Sequence, residues 1–372
     1  MRISLLKSAI LVIASACIMT GHACAQSYTL TDLGAGVATG INNAGQVAGT
    51  GTNGSAILWN GDVATVLPAI GHHDSATAIN DQGIVVGYDT ASCHGCLSGH
   101  HAVEWNNPTP ENVSTDGGEL NRANAVNNAG VVAGDEYTKG NATRSHAVVW
   151  NNGQQISLGT LNTYTYSDAT AINNNGQVAG YLSGTGSLPT QAVLWNGTTP
   201  TVLDGLVQGA NSQANAINDK GQVVGYSDTE TSRHRLAVLW NGTTATALPS
   251  LGGSNSDALA INGDGDIVGY STAAGSKQKQ AVLWNGTTLI NLNSYLTAGE
   301  IGAGWVLEEA TGINSNGAIV GISVNTLTGK EDAFILNVVS NVAEPTSMGM
   351  YLSGLMMLGL IVLRRKSAPL FN

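Results

Sequence analysis

Short apolar runs recur through the middle of the chain, each interrupted by Asn and Gly. One example reads Ala76-Thr77-Ala78-Ile79, a polar step from Asn80 to Gly83, then Ile84-Val85-Val86 and a further glycine, Gly87. The pattern Asn-x-x-Gly-x-φ-φ-Gly, with φ apolar or Ala, begins at Asn42, Asn80, Asn127, Asn173, Asn218, Asn262 and Asn314. A second marker, Ala-φ-x-Trp, follows and ends at Trp59, Trp105, Trp150, Trp195, Trp240 and Trp284, with Leu336 in the seventh place. Runs this short, bounded by turn residues, predict strands. Each copy parses into four: strand a runs into the Asn, b ends near the second Gly, c carries the Trp, and d follows. Asn-Gly pairs at 60–61, 152–153, 196–197, 241–242 and 285–286 predict type I′ hairpins between c and d.

Six d-type runs lie between the seven Asn motifs, none follows the last, and Tyr28–Gly34 supplies a seventh at the start. An open β-solenoid gives no reason for that offset. Four antiparallel strands in about 45 residues is the size of a propeller blade. The expectation is therefore an all-β, seven-bladed β-propeller closed by its N-terminal strand, spanning residues 26–340.

The two ends read as addresses. Arg2 and Lys7 precede a largely apolar stretch, and Ala23-Cys24-Ala25 offers a small-x-small cleavage site, so residues 1–25 form a signal peptide cut between Ala25 and Gln26. In the tail, residues 341–372, an uncharged stretch from Met348 to Leu363 predicts a hydrophobic helix that stops at Arg364, Arg365 and Lys366. A plain membrane anchor is one reading. The order of short motif, apolar helix and basic cluster also resembles the PEP-CTERM sorting signal of Gram-negative exported proteins, with Ala343-Glu344-Pro345 in place of Pro-Glu-Pro. That resemblance implies an exosortase-type processing enzyme as a partner and a cell-surface or extracellular destination. The membrane is then contacted through the tail, transiently or permanently.

Charge sharpens the picture. Only 10% of the 372 residues are charged, and the net charge is −11. Residues 26–343 alone carry nine basic against 24 acidic residues, a net of −15. Phosphate recognition needs a basic field, so nucleic acid is excluded as a partner.

The repeats, reading INxxGxVVG…HAFLW, are similar to the extracellular HAF repeat family over roughly residues 36–337. The His-Ala pair stands at His101-Ala102 and His146-Ala147, and Gly304–Leu307 resembles the family's closing repeat. This resemblance implies an exported repeat protein and brings no activity, cofactor or ligand with it.

The candidate chemistry lies in the b–c loops, which a propeller gathers on one face with the d–a loops. They hold most of the basic residues, and His101, Arg144, His146, Arg233, Arg235, Lys277 and Lys279 form a candidate binding rim for extracellular polysaccharide or a surface protein. Cys93 and Cys96, with His100 and His101 nearby, suit either a small-loop disulfide in an oxidising compartment or a zinc site. Asn262–Asp266 imitates a calcium loop, but its six sister copies lack the carboxylates, favouring a hairpin turn. Asp168 and Asp257 are placed at equivalent d–a positions facing the central channel, and paired carboxylates can cleave glycosides. No nucleophile elbow, HExxH or phosphate loop is present. Three functions stay open: a non-catalytic structural or matrix propeller, a glycan- or protein-binding module, and an extracellular polysaccharide hydrolase or lyase. The first is preferred, with no cofactor.

Overall fold

The computed structural model describes residues 27–70, 73–91, 99–106, 109–113, 121–137, 145–161, 163–186, 188–229 and 234–339. Tyr28–Asn337 belongs to one compact unit. Of a second unit, Ser27, Val338 and Val339 are described, and the Val339 N–H donates to the Ser27 carbonyl at 2.8 Å. The signal peptide, its cleavage site, the sorting motif and the C-terminal hydrophobic helix expected from the sequence all lie outside the described residues.

The unit is all-β and propeller-like. Each repeat's strands form an antiparallel sheet in the order a-b-c-d. In repeat 4 these are Tyr166–Ile172, Gln177–Ser183, Gln191–Asn196 and Thr199–Val202. The first strand, Tyr28–Ile41, is long enough to serve two sheets: it lies beside Glu331–Val338 of repeat 7 and pairs through Gly36–Ile41 with strand b of repeat 1, Gln46–Gly51. The wider spacing before the last Asn motif accommodates a 3-10 turn, Leu292–Tyr295, and a one-turn helix, Ala298–Gly302, capped reciprocally by Thr297 and Glu300.

The motif Asn closes its own a–b turn and ties its repeat to the next. Asn173 is typical: its Oδ1 accepts from the Asn175 and Gln177 N–H groups at 3.1 and 2.9 Å, while its Nδ2 donates to the Asn218 carbonyl at 3.0 Å. The same side-chain-to-carbonyl bond runs from Asn42 to Asn80, onward through each motif Asn to Asn314, and from Asn314 back to Asn42, at 2.9–3.3 Å. A second tier repeats the device three residues earlier, where a Thr or Asn side chain reaches an Ala carbonyl of the next repeat. Repeat 6 has the apolar Leu259 there. Asn262 makes the same turn as its sisters, accepting from the N–H groups of Asp264, Gly265 and Asp266.

The second Gly of the motif is needed for a close approach. A Cβ on Gly180 would sit 1.9 Å from the Asp168 carbonyl oxygen, and one on Gly134 would sit 1.9 Å from that of Arg122. Opposite this Gly each strand a carries a bulge, as between Ala169 and Ala171. The bulge inserts one residue and re-aims the side chains beside it.

The Trp residues form the core between neighbouring repeats. Trp195, fully buried, packs with Ala133, Val149 and Leu158 of repeat 3 as well as Ala169 and Val178 of its own sheet. Its Nε1 donates back to the Gly159 carbonyl at 3.3 Å, as Trp105 does to Pro68, Trp240 to Asp204 and Trp284 to Pro249. Repeat 7, with Leu336 at the Trp position, meets the need differently. The ring of buried Phe334 lies over Gly321 just as the Trp59 ring lies over Gly49, each 2.8 Å from where a Cβ would stand.

The c–d hairpins correct one expectation. Only Asn152 and Gly153 both have positive φ, 51° and 75°, the mark of type I′. Elsewhere the Asn is the last residue of strand c, as in the pair Asn196↔Thr199. Gly197 then takes the first central position with φ 59°, giving type II′; Gly61, Gly242 and Gly286 do the same. Register, and not the dipeptide itself, decides the turn.

Candidate functional site

The a–b turns of all seven repeats line one cavity of about 340 Å³. Its wall is the Ile or Val before each motif Asn, the Asn itself and the residue after it. Those polar groups are already engaged. Asp81 Oδ1 accepts from the Asn43 N–H at 2.9 Å, and Oδ2 from the Asn43 and Asn128 side-chain amides at 2.9 and 2.8 Å. Asn174 Oδ1 accepts from the Asn128 N–H, and both its own N–H and its side-chain amide donate to Asp219. A cavity whose donors and acceptors are satisfied by one another has little to offer a ligand. Another cavity, between Leu30, Asp32, Trp305 and Phe334, has a volume of about 40 Å³, room for little more than a water.

The opposite ends of the same strands are chemically different. Four residues before the motif Asn, every repeat has a fully buried Ala: Ala38, Ala76, Ala123, Ala169, Ala214, Ala258 and Ala310. One residue earlier the copies diverge. Val37 and Ser75 occupy this place in repeats 1 and 2, followed by Arg122, Asp168, Gln213, Asp257 and Glu309. Across the bulge each faces the strand-b residue after the close-approach Gly, which is Tyr88, Asp135, Tyr181, Tyr226 and Tyr270 in repeats 2 to 6.

These two positions build a chain of contacts. The Arg122 guanidinium lies over the Tyr88 ring at 5.3 Å and the Tyr137 ring at 5.9 Å. Asn124 Nδ2 bridges Asp135 Oδ1 and Asp168 Oδ1, both at 3.2 Å, and the Tyr181 hydroxyl donates to Asp168 Oδ2 at 2.9 Å. Farther round, Tyr226 OH donates to Gln213 at 3.3 Å. Arg235 stacks on Tyr226 at 3.5 Å and places Nη1 3.5 Å from Asp257, whose other oxygen accepts from Asn215 at 2.7 Å. Lys279 lies over Tyr270 at 4.4 Å and bonds to Glu309.

Burial pushes the Asp168 carboxyl up to about 8, with the neighbouring Asp135 carboxyl adding to the effect. Asp135 is itself raised, chiefly by burial, and Arg122 opposes the rise. Burial also lifts Asp257, to about 7, against the pull of Arg235 and Asn215. Burial works against the Lys279 ammonium, but the bond to Glu309 outweighs it and the group stays above its ordinary value.

Among the rim residues expected from the sequence, Arg235 and Lys279 turn inward onto Tyr rings and carboxylates, while Lys277 is exposed. His101 Nδ1 lies 3.1 Å from Asp89, His146 is half-buried, and His100 makes an edge contact with Tyr88 at 4.7 Å. Arg144, Arg233, Cys93 and Cys96 lie outside the described residues. Asp168 and Asp257 sit within strand a and not in the d–a loops, and each is engaged with different neighbours. Arg122 and the four Tyr were not anticipated. Aligning the seven copies and asking where they stop agreeing would have found them.

A family model described as a protein of unknown function, DUF3466, matches residues 138–340. No curated protein matches the chain. Among solved structures, the β-propeller domain of the Trilobed protease from Pyrococcus furiosus, described as having an open velcro topology, is similar at 9% identity. The match covers 86% of this chain and 99% of that one, with a TM-score of 0.53. Dipeptidyl peptidase 4 from Porphyromonas gingivalis aligns at 8% identity over 81% of this chain and 53% of that one, with a TM-score of 0.47.

Proposed function

The chain belongs to the DUF3466 family of proteins of unknown function, and from that premise we propose that it is a non-catalytic, closed seven-bladed propeller. It is exported and held at or released from the cell surface, and it binds a partner through the end of the ring where the b–c and d–a loops meet. The closed ring is supported by the cycle of Asn-to-carbonyl bonds that returns from Asn314 to Asn42, and by the first strand lying beside the last. The binding role rests on one observation: the repeats are alike wherever they pack and unlike at one strand-a position that is polar in six of the seven. Packing alone gives no reason for Ser, Arg, Asp, Gln and Glu to stand at equivalent places.

The carboxyl pair argues against glycoside cleavage. Asp135 and Asp168 are hydrogen-bonding neighbours, whereas the acid and its partner in a glycosidase stand ~5 Å or more apart to admit the scissile bond. Export is the reading of the two termini, with an exosortase-type enzyme acting near Ala343-Glu344-Pro345. Two measurements test the proposal. Mass spectrometry of protein from its own cells is expected to find Gln26 as the N-terminus, and an intact Met1 overturns export. Incubation with extracellular polysaccharides is expected to release no reducing sugar, and turnover abolished by Asp168→Asn overturns the non-catalytic role.

A further inference from the structure

The seam between repeats 3 and 4 departs from its sisters in one residue. In repeats 2, 4, 5 and 6 the strand-b residue after the close-approach Gly is a tyrosine, and repeat 3 has Asp135 there. Asp135 is 2% exposed and stands beside Asp168, half-buried on strand a of repeat 4. Asn124 Nδ2 holds one oxygen of each at 3.2 Å, which fixes the two carboxyls side by side across the seam. The Tyr137 hydroxyl also reaches Asp135, yet Asp135 Oδ2 has no partner of good geometry among the described residues. Both oxygens of an ionised carboxylate are acceptors, so two such groups cannot bond to each other. A proton on either one turns an acceptor into a donor and leaves one negative charge where two would stand.

The surrounding groups suit one ionised acid and not two. Arg122, on strand a of repeat 3, is the cation that acts on both carboxyls. Tyr137, on strand b of repeat 3, and Tyr181, on strand b of repeat 4, present hydroxyls that burial and these acids keep neutral. Strand c of repeat 3 sets Ala147 opposite Asp135, with His146 next to it opposite Glu136. Strand a of repeat 5 has the uncharged Gln213 at the place equivalent to Asp168. We infer that Asp135 and Asp168 hold a single shared proton and form a pH-sensitive latch on the seam between repeats 3 and 4. As pH rises the proton passes to solvent and the pair goes from one negative charge to two. Arg122 offsets one of them, and the seam loosens. The direction follows from the Asp168 carboxyl, pushed up to about 8: the folded chain keeps a proton that the unfolded chain has lost, so stability falls as pH rises from about 4 through 8.

Asp135→Asn tests the latch, because it removes one acid and keeps the size of the side chain. Urea unfolding of the purified full chain is followed across neutral pH. The folding equilibrium constant of the natural protein is expected to fall more steeply than that of Asp135→Asn, by up to about tenfold per pH unit. Equal slopes put the proton on Asp168 through burial alone and overturn the sharing. At pH 7 an infrared difference spectrum is expected to show the carbonyl band of a protonated carboxyl that Asp135→Asn lacks, and its absence overturns the shared proton. The seam itself is read by hydrogen exchange. The Ala147 N–H donates to Ser167 Oγ across it, and the Ala192 N–H donates to Ser212 Oγ across the next seam. Base catalysis speeds both alike, so their ratio isolates opening of the first. That ratio is expected to rise about tenfold between pH 7 and 9 in the natural protein and to stay constant in Asp135→Asn. A ratio that does not change in the natural protein overturns the latch. If circular dichroism shows Asp135→Asn unfolded, Asp168→Asn removes the other acid and serves the same three measurements.

Discussion

Replacing Asn173 by Ala separates the work of the belt from that of an ordinary surface turn. Asn173 is 4% exposed and makes four hydrogen bonds: two accepted within its turn, one donated to Gln177 Oε1 at 2.9 Å and one donated to the Asn218 carbonyl of the next repeat. The Asn218 carbonyl keeps its bond from the Gly221 N–H, and the Asn175 N–H reaches water, so not every lost partner is orphaned. Counting the two more buried bonds at about 1 kcal/mol each, with a further penalty for the turn, gives a loss of about 2–4 kcal/mol. The adjacent Asn174 is exposed, and Asn174→Ala should cost below about 1 kcal/mol although it too removes bonds to both neighbours. Urea unfolding followed by Trp fluorescence and far-ultraviolet circular dichroism measures both. Asn173→Asp sharpens the test, because it keeps the accepting oxygen and turns the donor into a second acceptor facing the Asn218 carbonyl. Its penalty at pH 7 should equal or exceed that of Ala and shrink as the introduced carboxyl is protonated. Equal stability losses for Asn173→Ala and Asn174→Ala would refute the belt as a source of stability.

Three other changes probe the remaining parts. Gly180→Ala drives a methyl into the Asp168 carbonyl and should exceed the ~1–3 kcal/mol of ordinary overpacking, visible as a lowered urea midpoint. Trp195→Ala should cost about 3–5 kcal/mol by the same measurement, and Trp195→Phe clearly less, since it keeps most of the packing and loses the bond to Gly159. Asp168→Asn should change rank with pH. Asp168 ionises near 8 when folded and near its ordinary 3.8 when unfolded, so the native protein loses this contribution as pH rises from about 4 through 8. Melting temperatures should therefore show Asp168→Asn gaining on the natural protein between pH 4.5 and 9, and a constant difference would contradict the raised carboxyl.

The fold was legible because its determinants are local and copied. The Asn that closes a turn, the Gly that admits a carbonyl and the Trp that fills a seam each recur at fixed spacing. The turn type was misjudged because Asn-Gly describes two residues, while type II′ depends on which of them ends strand c. Phe334 is hidden by the repeat spacing, which puts Leu336 at the Trp place, although what the packing needs is an aromatic over Gly321, reachable from either residue. The site was half legible. Basic loop residues stood out by charge, but Arg235 and Lys279 reach inward along their aliphatic stems, which no charge count reveals. Arg122 and the four Tyr were hidden inside strands that look purely structural.

The first strand's double membership sets an order of events for folding. Thr29 and Asn42 hydrogen-bond to Asn337 and Asn314, partners roughly three hundred residues away along the chain. Contacts between neighbouring repeats close loops of only about 45 residues, whereas this seam must wait for almost the entire sequence, and such long-range pairings are slow to form. A chain emerging N-terminus first therefore carries one unsatisfied strand edge throughout its synthesis. That edge is an exposed template for pairing with another chain until the seventh repeat arrives to cover it.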